Sequence, residues 1–80
     1  MNLQEFDNLP QDHKVAVICR QATFLGTCKE AEHVLALYHM NSFFIEVRYS
    51  SALNEIVQVQ GFTSKMLLEP YLDTIELPRL

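Results

Sequence analysis

The sequence contains no tryptophan, only two glycines, three prolines and two cysteines among 80 residues. So little glycine and proline excludes a collagen-like or low-complexity chain, and with 49% hydrophobic residues the composition is that of a globular domain. Cys19 and Cys28 are too few for a disulfide-stapled secreted scaffold and read as reduced, structural thiols. Basic residues are also scarce. Six Lys and Arg stand against ten Asp and Glu, for a net charge of −4. They are scattered at Lys14, Arg20, Lys29, Arg48, Lys65 and Arg79. Tracking a phosphate backbone requires clustered cations, which argues against nucleic acid as a direct partner. No run of residues reaches bilayer-spanning length, and the opening MNLQEFDNLPQDHK has neither a basic start nor an apolar stretch. A cytoplasmic protein with no membrane partner is therefore expected.

What is present fits one small domain over residues 1–80, near the size at which a single core only just holds a fold. Asp7 or Asn8 followed by Pro10 is a helix-start signal. Val15, Ile18, Cys19, Ala22 and Leu25 then recur at helical spacing, and Gly26 suits a left-handed stop. The spacing predicts a helix over residues 10–25, with Leu3 and Phe6 in a short turn folded onto it. Val17 and Phe24, flanked by His13 and Arg20, lie opposite the apolar stripe and form a candidate partner groove.

From Glu32 the period changes to two. Val34, Ala36 and Tyr38 alternate with His33, Leu35, Leu37 and His39; Phe43, Ile45, Val47 and Tyr49 alternate with Phe44, Glu46 and Arg48; Val57 and Val59 alternate with Ile56, Gln58 and Gln60. A two-residue turn at Met40–Asn41 or Asn41–Ser42 places Val34, Ala36 and Tyr38 beside Phe43, Ile45 and Val47. An odd-length second loop, Ser51–Leu53 or Ser50–Asn54, keeps Val57 and Val59 on that same face. After Gly61, Thr63 or Ser64 caps a closing helix with Met66, Leu67, Tyr71, Leu72 and Ile75, kinked or restarted around Pro70 and stopped by Pro78. The expected fold is α+β, a two-layer sandwich in the order α-β-β-β-α, with an antiparallel three-stranded meander and the helices on one face.

The other face then carries Leu35, Leu37, Phe44 and Ile56 beside the polar strip Glu46, Arg48, Gln58 and Gln60, too apolar for an ordinary solvent face. Burying four such side chains is worth roughly 6–12 kcal/mol gross, against an association cost of about 4–15 kcal/mol, so the patch alone supports only marginal binding. Additional contacts come from EHVLALYH, an expected edge strand with no Pro or Lys to blunt it. Two copies pairing there about a two-fold axis make a homodimer, with Leu35, Leu37, Phe44 and Ile56 as interface residues. The alternative within one chain is coverage of the edge or patch by the N-terminal segment or the tail IELPRL.

Chemistry finds little support. His33 and His39 share a face but sit about 20 Å apart along a strand, too far to hold one ion. No C-x-x-C, H-x-x-x-H or H-E-x-x-H spacing occurs. Ser50 and Ser51 lack a nucleophile elbow, Cys28 has no assignable base, and Gly26 and Gly61 are too far apart for a phosphate loop. No catalytic residue, metal or cofactor is expected. The one polar constellation, Glu46, Arg48, Gln58 and His33, is a candidate site for a small carboxylate or amide.

The segments Phe43-Phe44-Ile45-Glu46-Val47-Arg48-Tyr49, Asn54-Glu55-Ile56-Val57 and Leu68-Glu69-Pro70-Tyr71-Leu72-Asp73 resemble those of small uncharacterised proteins from Bacteroides-type bacteria. The resemblance spans about the C-terminal half and implies a bacterial protein with this hairpin and closing helix; it implies no activity, cofactor or site residue. The function expected is a non-enzymatic, self-associating protein-protein interaction domain, with a small ligand-binding or regulatory subunit as the alternative.

Overall fold

The first five-residue helix owes its existence to its cap. In the computed structural model, which describes residues 1–63, helix α1 (Leu3–Asp7) begins at Asn2. The Asn2 side chain accepts from the Glu5 amide at 2.8 Å, and the Glu5 carboxylate accepts from the Asn2 amide at 3.0 Å. This reciprocal capping box satisfies two of the donors a helix start leaves orphaned, and it aims Phe6 into the core, where the ring is fully buried.

Helix α2 (Gln11–Gln21) starts at Pro10, with no side-chain cap from Asp7 or Asn8. It ends at Ala22, whose backbone is already extended, rather than at Gly26. The β-formers Thr23 and Phe24 carry the chain directly into strand β1 (Thr23–Glu30), so the predicted last turn of the helix is the start of a fourth strand. Gly26 lies within that strand, beside a register shift between Phe24 and Gly26 that leaves Leu25 as an extra residue.

Strands β2 (His33–Met40), β3 (Phe43–Ser50) and β4 (Glu55–Phe62) complete an antiparallel meander in the order β1-β2-β3-β4. The class is α+β, with four strands in place of three and the order α-α-β-β-β-β over the described residues. The closing helix expected around Met66, Leu67, Tyr71, Leu72 and Ile75 lies outside the described residues. The β2–β3 turn is Asn41–Ser42, one of the two predicted, and it pairs Ala36 with Val47 and Tyr38 with Ile45. In both two-residue turns only the first residue has positive φ, Ala31 at 55° and Asn41 at 54°. That is the pattern of a type II′ turn, whose twist matches a hairpin.

The β3–β4 connection departs from expectation. Four residues, Ser51–Asn54, link Ser50 to Glu55, and four would invert the parity of the next strand. A bulge restores it: Arg48 pairs with Gln58 and Tyr49 with Ile56, so Val57 is the extra residue. Val57 is consequently 38% exposed, while Val59 is buried as predicted.

Both helices pack on the same face of the sheet. Phe6 and Ile18 join Met40, Phe43, Ile45, Val47 and Val59 in one cluster, with Leu3, Leu9, Val15, Val17 and Ala22 around it. Gly61 lets α1 approach β4, because a Cβ at that position would collide with the Leu3 side chain. Gln11 adds a hydrogen bond from its amide to the Ile56 carbonyl at 3.3 Å.

Candidate interaction surfaces

The second sheet face is built by the strand residues that point away from α1 and α2. Register places His39, Phe44 and Phe62 in one row, Leu37, Glu46 and Gln60 in the next, Leu35, Arg48 and Gln58 in a third, and His33 opposite Ser50 in a fourth. Leu35, Leu37, Phe44 and Phe62 form one apolar cluster with Leu25 and Cys28 at its margin. Phe44 stacks on Phe62 at 5.8 Å between ring centroids and meets the His39 ring at 5.0 Å.

One sequence expectation fails here. Ile56 was expected on this face; the bulge at Val57 rotates it to the other, where it packs against the helix-side core. The face was expected to be covered, by a second copy or within one chain, and in the single chain Leu35, Leu37 and Phe44 are only 2%, 0% and 1% exposed. Three of the four expected interface residues do share a surface, but it is covered.

The polar constellation is assembled on this same face. Arg48 and Gln58 are directly opposite, and the Arg48 guanidinium lies 3.9 Å from the Glu46 carboxylate. Glu46 makes a further contact and is not a vacant carboxylate. His33 stands one row beyond Leu35, across from Ser50. Two donors or acceptors on this face, Arg48 Nε and His39 Nε2, are buried without a hydrogen-bond partner among the described residues. No group of three or more His, Cys, Asp or Glu side chains among the described residues is arranged to hold a metal ion. No described helix is long and apolar enough to cross a membrane.

The edges differ from the sequence reading as well. Strand β2 was expected at the margin and is interior, because β1 pairs along its whole length. The margins are β1 and β4, and α1 and α2 both pack beside β4. Strand β1 is the more open one. Phe24, assigned by spacing to a helix, projects from it 56% exposed, with its ring edge-on to Tyr38 at 5.6 Å. Val17, its presumed companion in a groove, is instead packed into the helix-side core.

One end of the sheet is tied together by short polar links. The Ser51 amide and hydroxyl both donate to the Glu32 carbonyl, at 3.1 and 2.7 Å. The Leu53 amide donates to Ser50 Oγ at 3.1 Å, and the Tyr49 hydroxyl donates to the Asn54 side chain. The two Ser51 bonds tie the β3–β4 turn to the β1–β2 turn, and the other two brace the β3–β4 turn itself. No family model, curated protein or solved structure matches the chain.

Proposed function

We propose that the chain is a non-enzymatic interaction domain that pairs with a second copy of itself along the outer edge of β1. The observation that carries this reading is the unpaired edge. Among the described residues β1 pairs only with β2, and most of its side chains are exposed. Glu30 and His33 flank a two-residue turn and pair with each other, so the alternation of an antiparallel ladder directs the N–H and C=O of Thr27 and Lys29 away from β2. The bulge at Leu25 bends the first part of the strand and Lys29 puts one charge on it, both ordinary protections of an edge. Gly26 to Glu30 remains a template for one more strand. Two copies joined there about a two-fold axis form a continuous eight-stranded sheet, with Phe24 of each as an apolar flank.

Light scattering coupled to size exclusion tests the reading over a wide dilution series. A dimer mass is expected, converted to monomer by Thr27→Pro, since this proline removes an outward N–H and leaves the β1–β2 ladder intact. A monomer at every concentration overturns it.

A second reading rests on Arg48 Nε, buried beside Glu46 and Gln58 without a hydrogen-bond partner among the described residues. It makes the polar rows, with His33, a site for a small carboxylate. Acetate and phosphate at millimolar concentration should then raise the melting temperature of the parent chain but not of Arg48→Ala. No shift with either ion removes that reading.

A further inference from the structure

We propose that two copies pair along β1 in a single register, with the two-fold axis passing between their Cys28 residues. This rests on the self-association proposed above and adds where on the edge the copies meet. In a two-fold antiparallel pair, residue i of one copy faces residue j of the other and j faces i, so one central residue defines the register. The axis must pass at a residue, because outward and inward backbone groups alternate and an axis between residues would set one kind against the other.

The usable edge is bounded at both ends. At its start the register shift between Phe24 and Gly26 leaves Leu25 outside the regular ladder, and a bulge disrupts pairing locally. At its end Ala31, with φ 55°, is no longer extended. Between these limits the outward N–H and C=O groups belong to Thr27 and Lys29, with Cys28 midway. An axis at Cys28 sets Thr27 opposite Lys29 of the partner subunit, and Lys29 opposite Thr27 of the partner subunit, so every outward group is bonded. An axis at Thr27 pairs that residue with its own copy and leaves Lys29 facing the bulge at Leu25. An axis at Lys29 leaves Thr27 facing Ala31 in the turn, and it places two like charges directly opposite, which destabilises a ladder. Each alternative bonds half of the groups that the Cys28 register bonds.

The register gives the interface a chemical property. The two Cys28 residues become a non-hydrogen-bonded pair, whose Cα atoms lie about 4.5 Å apart, within the roughly 4.4–6.8 Å that a disulfide spans. Cys28 is a free, half-buried thiol at the margin of the second face, across from Leu35. Oxidised glutathione can therefore join the copies. One Cys28 thiolate attacks a glutathione sulfur and releases the first glutathione. The partner's Cys28 thiolate then displaces the second from the mixed disulfide. Two protein thiols lose two protons and two electrons, and the oxidant is reduced to two thiols. Cys19, exposed on α2, takes no part.

Single-cysteine chains test the register. Cys19→Ala keeps Cys28 alone; adding Cys28→Ala with Thr27→Cys or Lys29→Cys moves the thiol one position either way. The mass of each is measured by light scattering, and covalent dimer formed with oxidised glutathione is followed on non-reducing gels. Capture at position 28 is expected to be about 10-fold or more faster than at 27 or 29, because the paired thiols react within one assembly. Its half-time should hold on dilution while the dimer mass persists, and adding Thr27→Pro should abolish it. Faster or equal capture at 27 or 29, in a dimer that Thr27→Pro dissociates, would overturn the register and leave pairing at β1 standing. A dimer insensitive to Thr27→Pro would place the interface elsewhere and overturn both. A monomer mass at every concentration would overturn the self-association, and this register with it.

Discussion

The two faces of the sheet reach similar burial with different chemistry. The helix-side face presents Met40, Phe43, Ile45, Val47 and Val59, an apolar surface met by Phe6 and Ile18. The second face interleaves Leu35, Leu37, Phe44 and Phe62 with Glu46, Arg48, Gln58 and Gln60. Yet Leu37 and Phe44 are as deeply buried as Phe43 and Ile45. Apolar pattern alone therefore does not rank the faces of a small antiparallel sheet, because burial depends on what packs over a face as well as on the side chains it presents.

Substitutions can break this equivalence, and the largest tests come from the most deeply buried side chains of the two faces. Phe43→Ala should cost about 3–5 kcal/mol and Leu37→Ala about 2–5 kcal/mol, read from urea unfolding of the two variants. If Leu37→Ala falls below about 1 kcal/mol, the second face is not a core. Gly61→Ala comes next. The added methyl meets the Leu3 side chain, and overpacking of this kind should destabilise by about 1–3 kcal/mol; the expectation fails if the variant unfolds at the parent midpoint. Asn2→Ala removes the capping box and should lower stability by about 1 kcal/mol, accompanied by faster hydrogen exchange at the Glu5 amide. Smallest is Glu46→Gln. It ends an ion pair held at 3.9 Å beside a part-exposed Arg48, so an effect under about 1 kcal/mol is expected. A larger loss would mean that the polar rows of the second face contribute structurally beyond that pair.

Much of the sheet was legible because the β2–β3 hairpin keeps strict alternation and has Asn41 where the turn needs positive φ. Both principal misreadings have one physical origin. A β-bulge adds a residue and breaks the two-residue period. At Leu25 it lets Val15, Ile18, Ala22 and Leu25 continue as a helical stripe in the sequence, which hides β1 and leaves β2 looking like an edge. At Val57 it sends Ile56 to the face opposite the one that counting assigns. Glu46, Arg48 and Gln58 do share one face, because the four-residue loop and the bulge together restore the parity of β4, but the register differs by two residues: a three-residue loop would set Gln58 opposite Glu46, whereas it stands opposite Arg48 and Gln60 faces Glu46. The burial of Leu35, Leu37 and Phe44 could not be read from alternation, which identifies residues that share a face but not what lies over it.

The contact of Leu3 with Gly61 also bears on how the chain folds. Every strand pairing joins neighbours in sequence across turns of two or four residues, and closing such loops takes microseconds or less. Among the described residues the approach of α1 to β4 spans the most sequence, so its closure entropy is the largest and it is expected last. The sheet can zip from its turns, and docking of the N-terminal helix then completes the core. Interactions formed after the transition state govern unfolding, so a side chain added at Gly61 should act chiefly by shortening the lifetime of the folded protein, with little change in the rate at which the sheet assembles.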